Sequence, residues 1–191
     1  MKEIRSSDAI RSAEGEDEGL TLYGNPVVFE QPTVIWTPNG SYTEIIHEGA
    51  LDNCDLSDVT LRLEHDESKI PLARTPNTLK LVPGRAGLNM VAVLADTATG
   101  RETFEAVKRQ DLRSMSFAFT VDEKGGDTWD YETNTRHINR IAKVYECSIV
   151  ANPAYKGCVV SAEARAEFEE GKRNYEAKKD AMQMVAKILS N

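Results

Sequence analysis

The sequence predicts a mainly β fold with flanking α-helices, and four observations support that prediction. Apolar and polar residues alternate over Val59–His65 and again over Ser114–Val121, a pattern typical of β-strands. Thr78–Val82 and Leu88–Leu94 flank a turn rich in glycine and proline, which predicts a β-hairpin. A long strand-like run covers Ile138–Val150 and ends at an Asn-Pro pair.

The composition is that of an acidic globular protein. The chain has 191 residues, of which 40% are hydrophobic and 28% charged, and this suits one domain with a buried core. A net charge of −8 argues against a nucleic-acid-binding surface, and no apolar run approaches the roughly 18 residues that span a bilayer. The cysteines, Cys54, Cys147 and Cys158, form no CxxC pair and are odd in number, which supports neither a zinc site nor disulfides. With only three histidines, we predict a soluble protein without a metal or cofactor.

The first part of the chain divides into four segments. Met1–Gly19 is polar, lacks the features of a signal peptide, and is predicted to be a mobile arm. Leu20–Phe29 predicts a strand with a break, because a glycine and a proline lie inside it. Gln31–Gly40 contains two prolines and an Asn-Gly pair and predicts an exposed loop. The apolar spacing in Tyr42–Leu51 leaves a short helix and a strand leading into one both open.

One internal helix is predicted after the hairpin, and further helices at the end of the chain. Asp96 or Thr97 can cap a helix over Ala98–Arg109. Asp122–Thr135 is a polar excursion between strands. The predicted organisation has three parts: a mobile arm at 1–19, a β-rich domain at 20–161 and a charged helical tail at 162–191.

Two residues on predicted strands are candidates for nucleophilic catalysis. The chain lacks the glycine-rich phosphate loops and the GxSxG elbow. His65 ends a strand on its core-facing side, and Ser116 lies on a strand face with the small residues Ser114 and Ala118. A serine needs a neighbouring imidazole to take its proton and a third group to orient that imidazole. Spacing alone favours the alternative interpretations, a surface histidine and a serine on a solvent-facing strand.

Four short segments match the motifs of one known protein family, and they follow one another in the same order as in that family. They are Glu48-Gly49-Ala50-Leu51, Leu61-Arg62-Leu63-Glu64-His65-Asp66, Ser114-Met115-Ser116-Phe117-Ala118-Phe119 and the run from Tyr145 to Tyr155. In these segments the chain resembles the prohead (capsid-maturation) proteases of tailed phages, relatives of the herpesvirus assemblins, and the resemblance extends over about residues 20–160. The resemblance implies an antiparallel β-barrel of the herpesvirus-protease type, wrapped by a few helices.

The resemblance also implies a set of catalytic residues. The histidine of the His-Asp motif is the general base and falls on His65, and the nucleophile falls on Ser116, with Ser114 as its nearest alternative. The third member is an acidic residue in the phage branch, here Glu146, and a second histidine in the herpesvirus branch, where His137 lies in the same region. Glu146 is favoured because it lies inside a matched segment.

Other residues compete for these roles. Glu64 and Asp66 adjoin His65, but neighbouring strand residues point to opposite faces and reach the ring poorly. Cys147 and Cys158 are rival nucleophiles, although buried thiols are usually inert. The oxyanion donors are not located by the sequence, and backbone N–H groups near Gly157 are one option.

The function implied is a serine endopeptidase of prohead maturation. Its substrates would be the scaffolding segment of the major capsid protein, the internal scaffold protein and the enzyme itself. It would act in the host cytoplasm, inside the assembling procapsid, without a cofactor, nucleic acid or membrane, with a homo-oligomer as a further option. The tail at 162–191 is either a packaging segment removed by self-cleavage or an ordinary exposed helix. A catalytically silent scaffolding protein and a small-substrate esterase are the alternatives.

Overall fold

The structure, a computed structural model, describes residues 3–7, 10–12, 19–37 and 40–151. Thirteen strands and one helix follow one another in these ranges. They are β1 (Glu3–Ser7), β2 (Ile10–Ser12), β3 (Thr21–Val28), β4 (Thr33–Thr37), β5 (Gly40–Ile46), β6 (Thr60–Leu63), β7 (Ala73–Arg74), β8 (Leu79–Pro83), β9 (Gly87–Val93), α1 (Ala98–Lys108), β10 (Ser114–Val121), β11 (Asp127–Asp130), β12 (Thr135–Ile138) and β13 (Ile141–Val150). The mainly β class is therefore confirmed.

The described strands form three sheets. Sheet A has the order β1-β10-β13-β6-β7, sheet B the order β2-β3-β9-β8, and sheet C the order β11-β12-β5-β4. Most neighbours are antiparallel, but β13 pairs with β6, and β12 with β5, in parallel. Each sheet ends in strands with one partner among the described residues, so a closed barrel is not confirmed.

The hydrophobic core joins sheet A to sheet B. Leu22 and Met90 from sheet B belong to the same buried cluster as Met115, Phe117 and Ile149 from sheet A. Each of these side chains is at most 2% exposed, and burying one contributes about 2 kcal/mol relative to leaving it in water. The alternation predicted for β10 is confirmed, since Met115 and Phe117 lie on this core face.

The hairpin and the helix lie where the sequence predicts them. β8 pairs antiparallel with β9, and Gly87 is required there because a Cβ would meet the carbonyl oxygen of Val27 at 1.9 Å. Thr97 is the N-cap of α1, and its side chain accepts a hydrogen bond from Gly100 N at 3.2 Å. Val107 anchors the helix and is fully buried.

Several segment predictions need correction. The predicted loop Gln31–Gly40 contains β4, which pairs with β5 through β-forming residues around Ile35. Tyr42–Leu51 continues β5 and then turns, without a helix. The polar excursion Asp122–Thr135 holds β11, and the run Ile138–Val150 is interrupted between β12 and β13. Cross-strand pairing decides these cases, and a single segment does not reveal its partner.

The start of the chain contributes two strands. β1 pairs with β10, and β2 pairs with β3, within the segment that the sequence predicts as a mobile arm. Buried anchors explain the pairing, because Arg5 is 7% and Ile10 1% exposed. The predicted tail at 162–191, Cys158 and the loop around Gly157 lie outside the described residues.

Candidate active site

The pairing of β10 with β13 places the predicted serine and glutamate on one face. Ser116 lies opposite Ser148, and Ala118 lies opposite Glu146, in an antiparallel register. Residues directly opposite each other share a face, and residues two apart along a strand do so as well. Ser116, Glu146 and Ser148 therefore point away from the hydrophobic core on the same side of sheet A. All three are at most 2% exposed, so the solvent-facing interpretation of Ser116 is wrong.

A tight turn after β6 brings His65 to this face. β6 ends at Leu63, and both Glu64 and His65 adopt the left-handed conformation, with φ of 51° and 56°. The prediction that the strand continues to His65 on its core-facing side is therefore wrong, because the left-handed pair reverses the side-chain alternation. Hydrogen bonds hold this turn, from Glu64 N to Ile149 O at 2.9 Å and from His65 N to Ser148 Oγ at 3.3 Å.

His65 and Glu146 are in direct contact. The Nδ1 atom of His65 forms a short hydrogen bond with Oε1 of Glu146. An ionised carboxylate only accepts hydrogen bonds, so this contact places the ring proton on Nδ1. The Nε2 atom of a neutral ring is then left as a proton acceptor, which is the state that a general base requires.

Glu146 is held by further polar groups. Its side chain is 3% exposed, Ser148 Oγ donates to Oε1 at 3.3 Å, and Arg62 Nε lies 3.5 Å from Oε2. A buried carboxylate needs such compensation, because removing it from water is costly. Arg62 also donates to the carbonyl oxygens of Asp66 and Lys69 at 3.1 Å each, so it braces the loop that follows His65.

The hydroxyl of Ser116 has a main-chain partner. Its Oγ donates to the carbonyl oxygen of Arg5 in β1 at 2.6 Å. Within the described residues no hydrogen bond joins Ser116 to His65. Ser114 lies on the same face of β10, opposite Val150, and is also fully buried. The structure thus brings His65 and Glu146 together and places Ser116 on their face with its hydroxyl engaged elsewhere.

His137 lies in another sheet and contacts another histidine. It belongs to β12 in sheet C, where its Nδ1 lies 2.8 Å from Nε2 of His47. His47 in turn contacts Glu30 at 3.0 Å through Nδ1. A hydrogen bond from Glu48 N, followed by the one from His47, lowers the pKa of the Glu30 carboxyl. This geometry favours Glu146 over His137 as the partner of His65.

The other rivals have different partners. Asp66 accepts hydrogen bonds from the hydroxyl and the N–H of Ser68, which lower the pKa of its carboxyl. Glu64 accepts from Ala151 N at 2.6 Å. Cys147 is fully buried in the core, and burial raises the pKa of its thiol. A thiol that resists deprotonation is a poor nucleophile.

Sequence reasoning missed Arg62 and Ser148. Strand alternation could have found Ser148, which lies two residues after Glu146, whereas the place of Arg62 depends on the pairing of Thr60 with Glu146, which a single sequence does not reveal. Within the described ranges no cluster of three histidines, cysteines, aspartates or glutamates could hold a metal ion. The one described helix is too short and polar to cross a membrane.

A histidine in contact with a carboxylate, on a sheet face that also carries a buried serine, supplies the residue types that a serine hydrolase uses. A comparison with protein families gives a match to the caudovirus prohead serine proteases over residues 6–173. Because the match covers most of the chain, the protein belongs to this family of phage capsid-maturation proteases. Neither a curated protein nor a solved structure matches the chain.

Proposed function

We propose that the chain is a serine endopeptidase of prohead maturation, with Ser116 as nucleophile, His65 as general base and Glu146 as the group that orients the imidazole. The contact between His65 Nδ1 and Glu146 Oε1, on the sheet face that carries Ser116, is the observation that carries the proposal. Arg62 and Ser148 act as positioning residues, because each contacts Glu146 and neither contacts a reacting atom.

The proposed reaction is acyl transfer. Ser116 Oγ attacks the carbonyl carbon of a peptide bond, and its proton passes to Nε2 of His65. The carbon–nitrogen bond then breaks as Nε2 returns that proton to the leaving amine. Water attacks the resulting ester by the same route and releases the new carboxyl terminus. Glu146 stabilises the imidazolium that forms in both steps.

The proposed substrates follow from the family. A prohead protease cuts proteins of the capsid shell, and we assign the scaffolding segment of the major capsid protein as the main substrate. The internal scaffold protein and the enzyme itself are the further proposed substrates. The site of action is then the procapsid inside the host cell, and self-cleavage would include the segment at 162–191.

Co-expression with the cognate capsid subunit tests the proposal. Intact mass spectrometry compares the native chain with Ser116→Ala, and Ser114→Ala serves as the matched control because both serines are buried on one face of β10. We expect the native chain and Ser114→Ala to cleave the capsid subunit and Ser116→Ala to leave it uncleaved. Equal cleavage by Ser116→Ala would overturn the assignment of the nucleophile.

A catalytically silent scaffolding protein is the second candidate. It is favoured by one observation, that Ser116 is fully buried and bonded to Arg5 rather than to His65. In that case neither the native chain nor Ser116→Ala cleaves the subunit, yet shells assemble only when the chain is present.

A further inference from the structure

The edge of β10 carries a strand in the position that a peptide substrate needs. β1 pairs antiparallel with β10, and Ser6 lies opposite Ser116. The carbonyl oxygen of Arg5 accepts the hydrogen bond of Ser116 Oγ at 2.6 Å. A peptide that Ser116 is to cut must bring a carbonyl group to this same hydroxyl. β1 therefore illustrates how an extended chain lies against the proposed nucleophile.

The side chain of Arg5 fills a charged pocket, where Oε2 of Glu44 also accepts a hydrogen bond from Nη1 of Arg136 at 3.2 Å. Its Nη2 lies 2.7 Å from Oε2 of Glu44, and its Nε contacts Oε1 of the same carboxylate. Nη2 also lies 3.2 Å from the hydroxyl of Tyr42, and the guanidinium carbon lies 5.7 Å from the centre of the Phe119 ring. Glu44 is 1% exposed. A bidentate pair in such a pocket selects a planar cation over neutral side chains.

A second charged contact lies two residues earlier in β1. Glu3 contacts Arg136 through both carboxylate oxygens, with Nη2 and Oε1 2.9 Å apart. Asp127 contacts Nε of Arg136 at 2.7 Å. Burial lowers the pKa of Arg136, but the hydrogen bonds with Glu3 and Asp127 outweigh it and raise that pKa above its usual range. The surface under β1 thus presents the anion Glu44 to position 5 of the strand and the cation Arg136 to position 3.

We propose that the edge of β10 binds the substrate as an extended strand and that Glu44 selects a basic residue immediately before the bond that is cut. This inference rests on the proposed function. That basic residue takes the place of Arg5 but turns its carbonyl carbon toward Ser116 Oγ, so that the hydroxyl proton, which Arg5 accepts in this structure, passes to His65 instead. Arg136 favours an acidic residue two positions before the basic one, as it does Glu3. Strand addition at a sheet edge supplies affinity through main-chain hydrogen bonds, and the side-chain pockets supply specificity.

In this proposal β1, a strand of the same chain, occupies the substrate site and blocks it. While Ser116 donates to Arg5, the same proton is not available to His65. Cleavage of a separate peptide therefore requires β1 to leave the edge of β10. Weakening the contact between Arg5 and Glu44 should speed cleavage of such a peptide, because the occupant is then displaced more easily.

Two quenched fluorescent peptides test the specificity. Both carry the sequence of residues 2–9, one with arginine and the other with its neutral isostere citrulline at position 5. We expect kcat/KM of the native full-length chain to be at least about tenfold higher for the arginine peptide. In Glu44→Gln this preference should fall below about twofold, while cleavage of the citrulline peptide rises, because β1 is then displaced more easily. Equal cleavage of both peptides by the native chain would overturn the selection by Glu44.

A variant of β1 tests the displacement. Arg5→Gln should cleave the arginine peptide several-fold faster than the native chain. The control is Arg101→Gln, an exposed arginine of α1 paired with Asp96, which should leave the rate unchanged. A folded Arg5→Gln that is no faster would identify β1 as a permanent strand of sheet A.

Hydrogen exchange provides a measurement that does not depend on the folding of Arg5→Gln. In Ser116→Ala, saturating arginine peptide should remove the protection of the amides of residues 3–7. Protection that persists at saturation would overturn the displacement. If the co-expressed capsid subunit is cleaved while these tests fail, only this inference falls. If the subunit is not cleaved either, the proposed function fails with it.

Discussion

Ser148 lies directly opposite Ser116 in the pairing of β10 with β13, and its hydroxyl links the backbone of His65 to the carboxylate of Glu146. This hydroxyl accepts from His65 N and donates to Glu146 Oε1, at 3.3 Å in each case. A buried side chain with those two contacts fixes the distance between the proposed base and its orienting group.

Removing that hydroxyl should slow catalysis without weakening substrate binding. In Ser148→Ala we expect kcat to fall roughly fivefold with KM unchanged, because one net hydrogen bond is worth about 1 kcal/mol. Ser148→Thr keeps the hydroxyl and should restore most of the rate. Steady-state kinetics on a peptide substrate measure both. Ser68→Ala, which removes a hydroxyl bonded to Asp66 in an exposed turn, is the control. A larger effect on KM than on kcat would contradict a positioning role.

Glu146 should be essential through its charge. In Glu146→Gln the amide can present a donor to Nδ1 of His65, which favours the wrong tautomer, so kcat should fall by about 10⁴. The measurement is the rate of peptide hydrolysis, with circular dichroism to verify the fold. Glu64→Gln is the matched control, because Glu64 adjoins His65 yet accepts from Ala151 N instead. Loss of activity in Glu64→Gln with retention in Glu146→Gln would exchange the two roles.

The described cysteines should not contribute to catalysis. Burial raises the pKa of Cys54 to about 12 and also raises the pKa of the fully buried Cys147. We therefore expect Cys147→Ala to keep the native peptidase rate, and alkylation of the native protein by iodoacetamide at pH 8 to leave Cys54 and Cys147 unmodified. Peptide mass mapping after a short reaction measures the second outcome. Rapid alkylation of Cys147 without unfolding would contradict the burial argument.

The sequence names candidate site residues but not the topology that arranges them. Strand alternation singles out His65 and Ser116 as candidates, and the family resemblance adds Glu146, because those signals extend over a few residues. The contact between His65 and Glu146 depends on the left-handed pair at Glu64 and His65 and on the parallel pairing of β6 with β13. Long-range pairing and positive φ at ordinary residues leave no mark in a single sequence.

The same limit explains why the sequence does not predict the pairing of the first strand, β1. Met1–Gly19 carries little apolar surface, so composition predicts an arm. β1 nevertheless pairs with β10, and the ion pair of Arg5 with Glu44 joins positions far apart in the chain. A charged residue that is buried by a distant partner has the same appearance in the sequence as one exposed to solvent.

The ion pair between Asp55 and Lys143 should make stability depend on pH. Lys143 Nζ lies 2.6 Å from Asp55 Oδ2, beside a main-chain bridge between these residues that joins the segment after β5 to β13. The hydrogen bond from Lys143, followed by those from Ser57, lowers the pKa of the Asp55 carboxyl in the folded state. A lowered folded-state pKa contributes stability above the unfolded value, which is about 3.9, and that contribution is lost as the pH falls through the folded-state pKa.

Lys143→Met should therefore lower the melting temperature at pH 7, with a difference from the native chain that shrinks as the pH is lowered below the unfolded pKa of Asp55. Thermal unfolding followed by circular dichroism across this pH range measures the difference. Lys80→Met is the control, because Lys80 is an exposed residue of β8 that forms no ion pair within the described part of the chain. The effect at pH 7 should also decrease in high salt, since both side chains are about a third or more exposed and added ions screen them. A difference that stays constant with pH would show that Lys143 stabilises the fold through contacts other than its pair with Asp55, such as that of its Nζ over the ring of Tyr145, 5.6 Å from the ring centre.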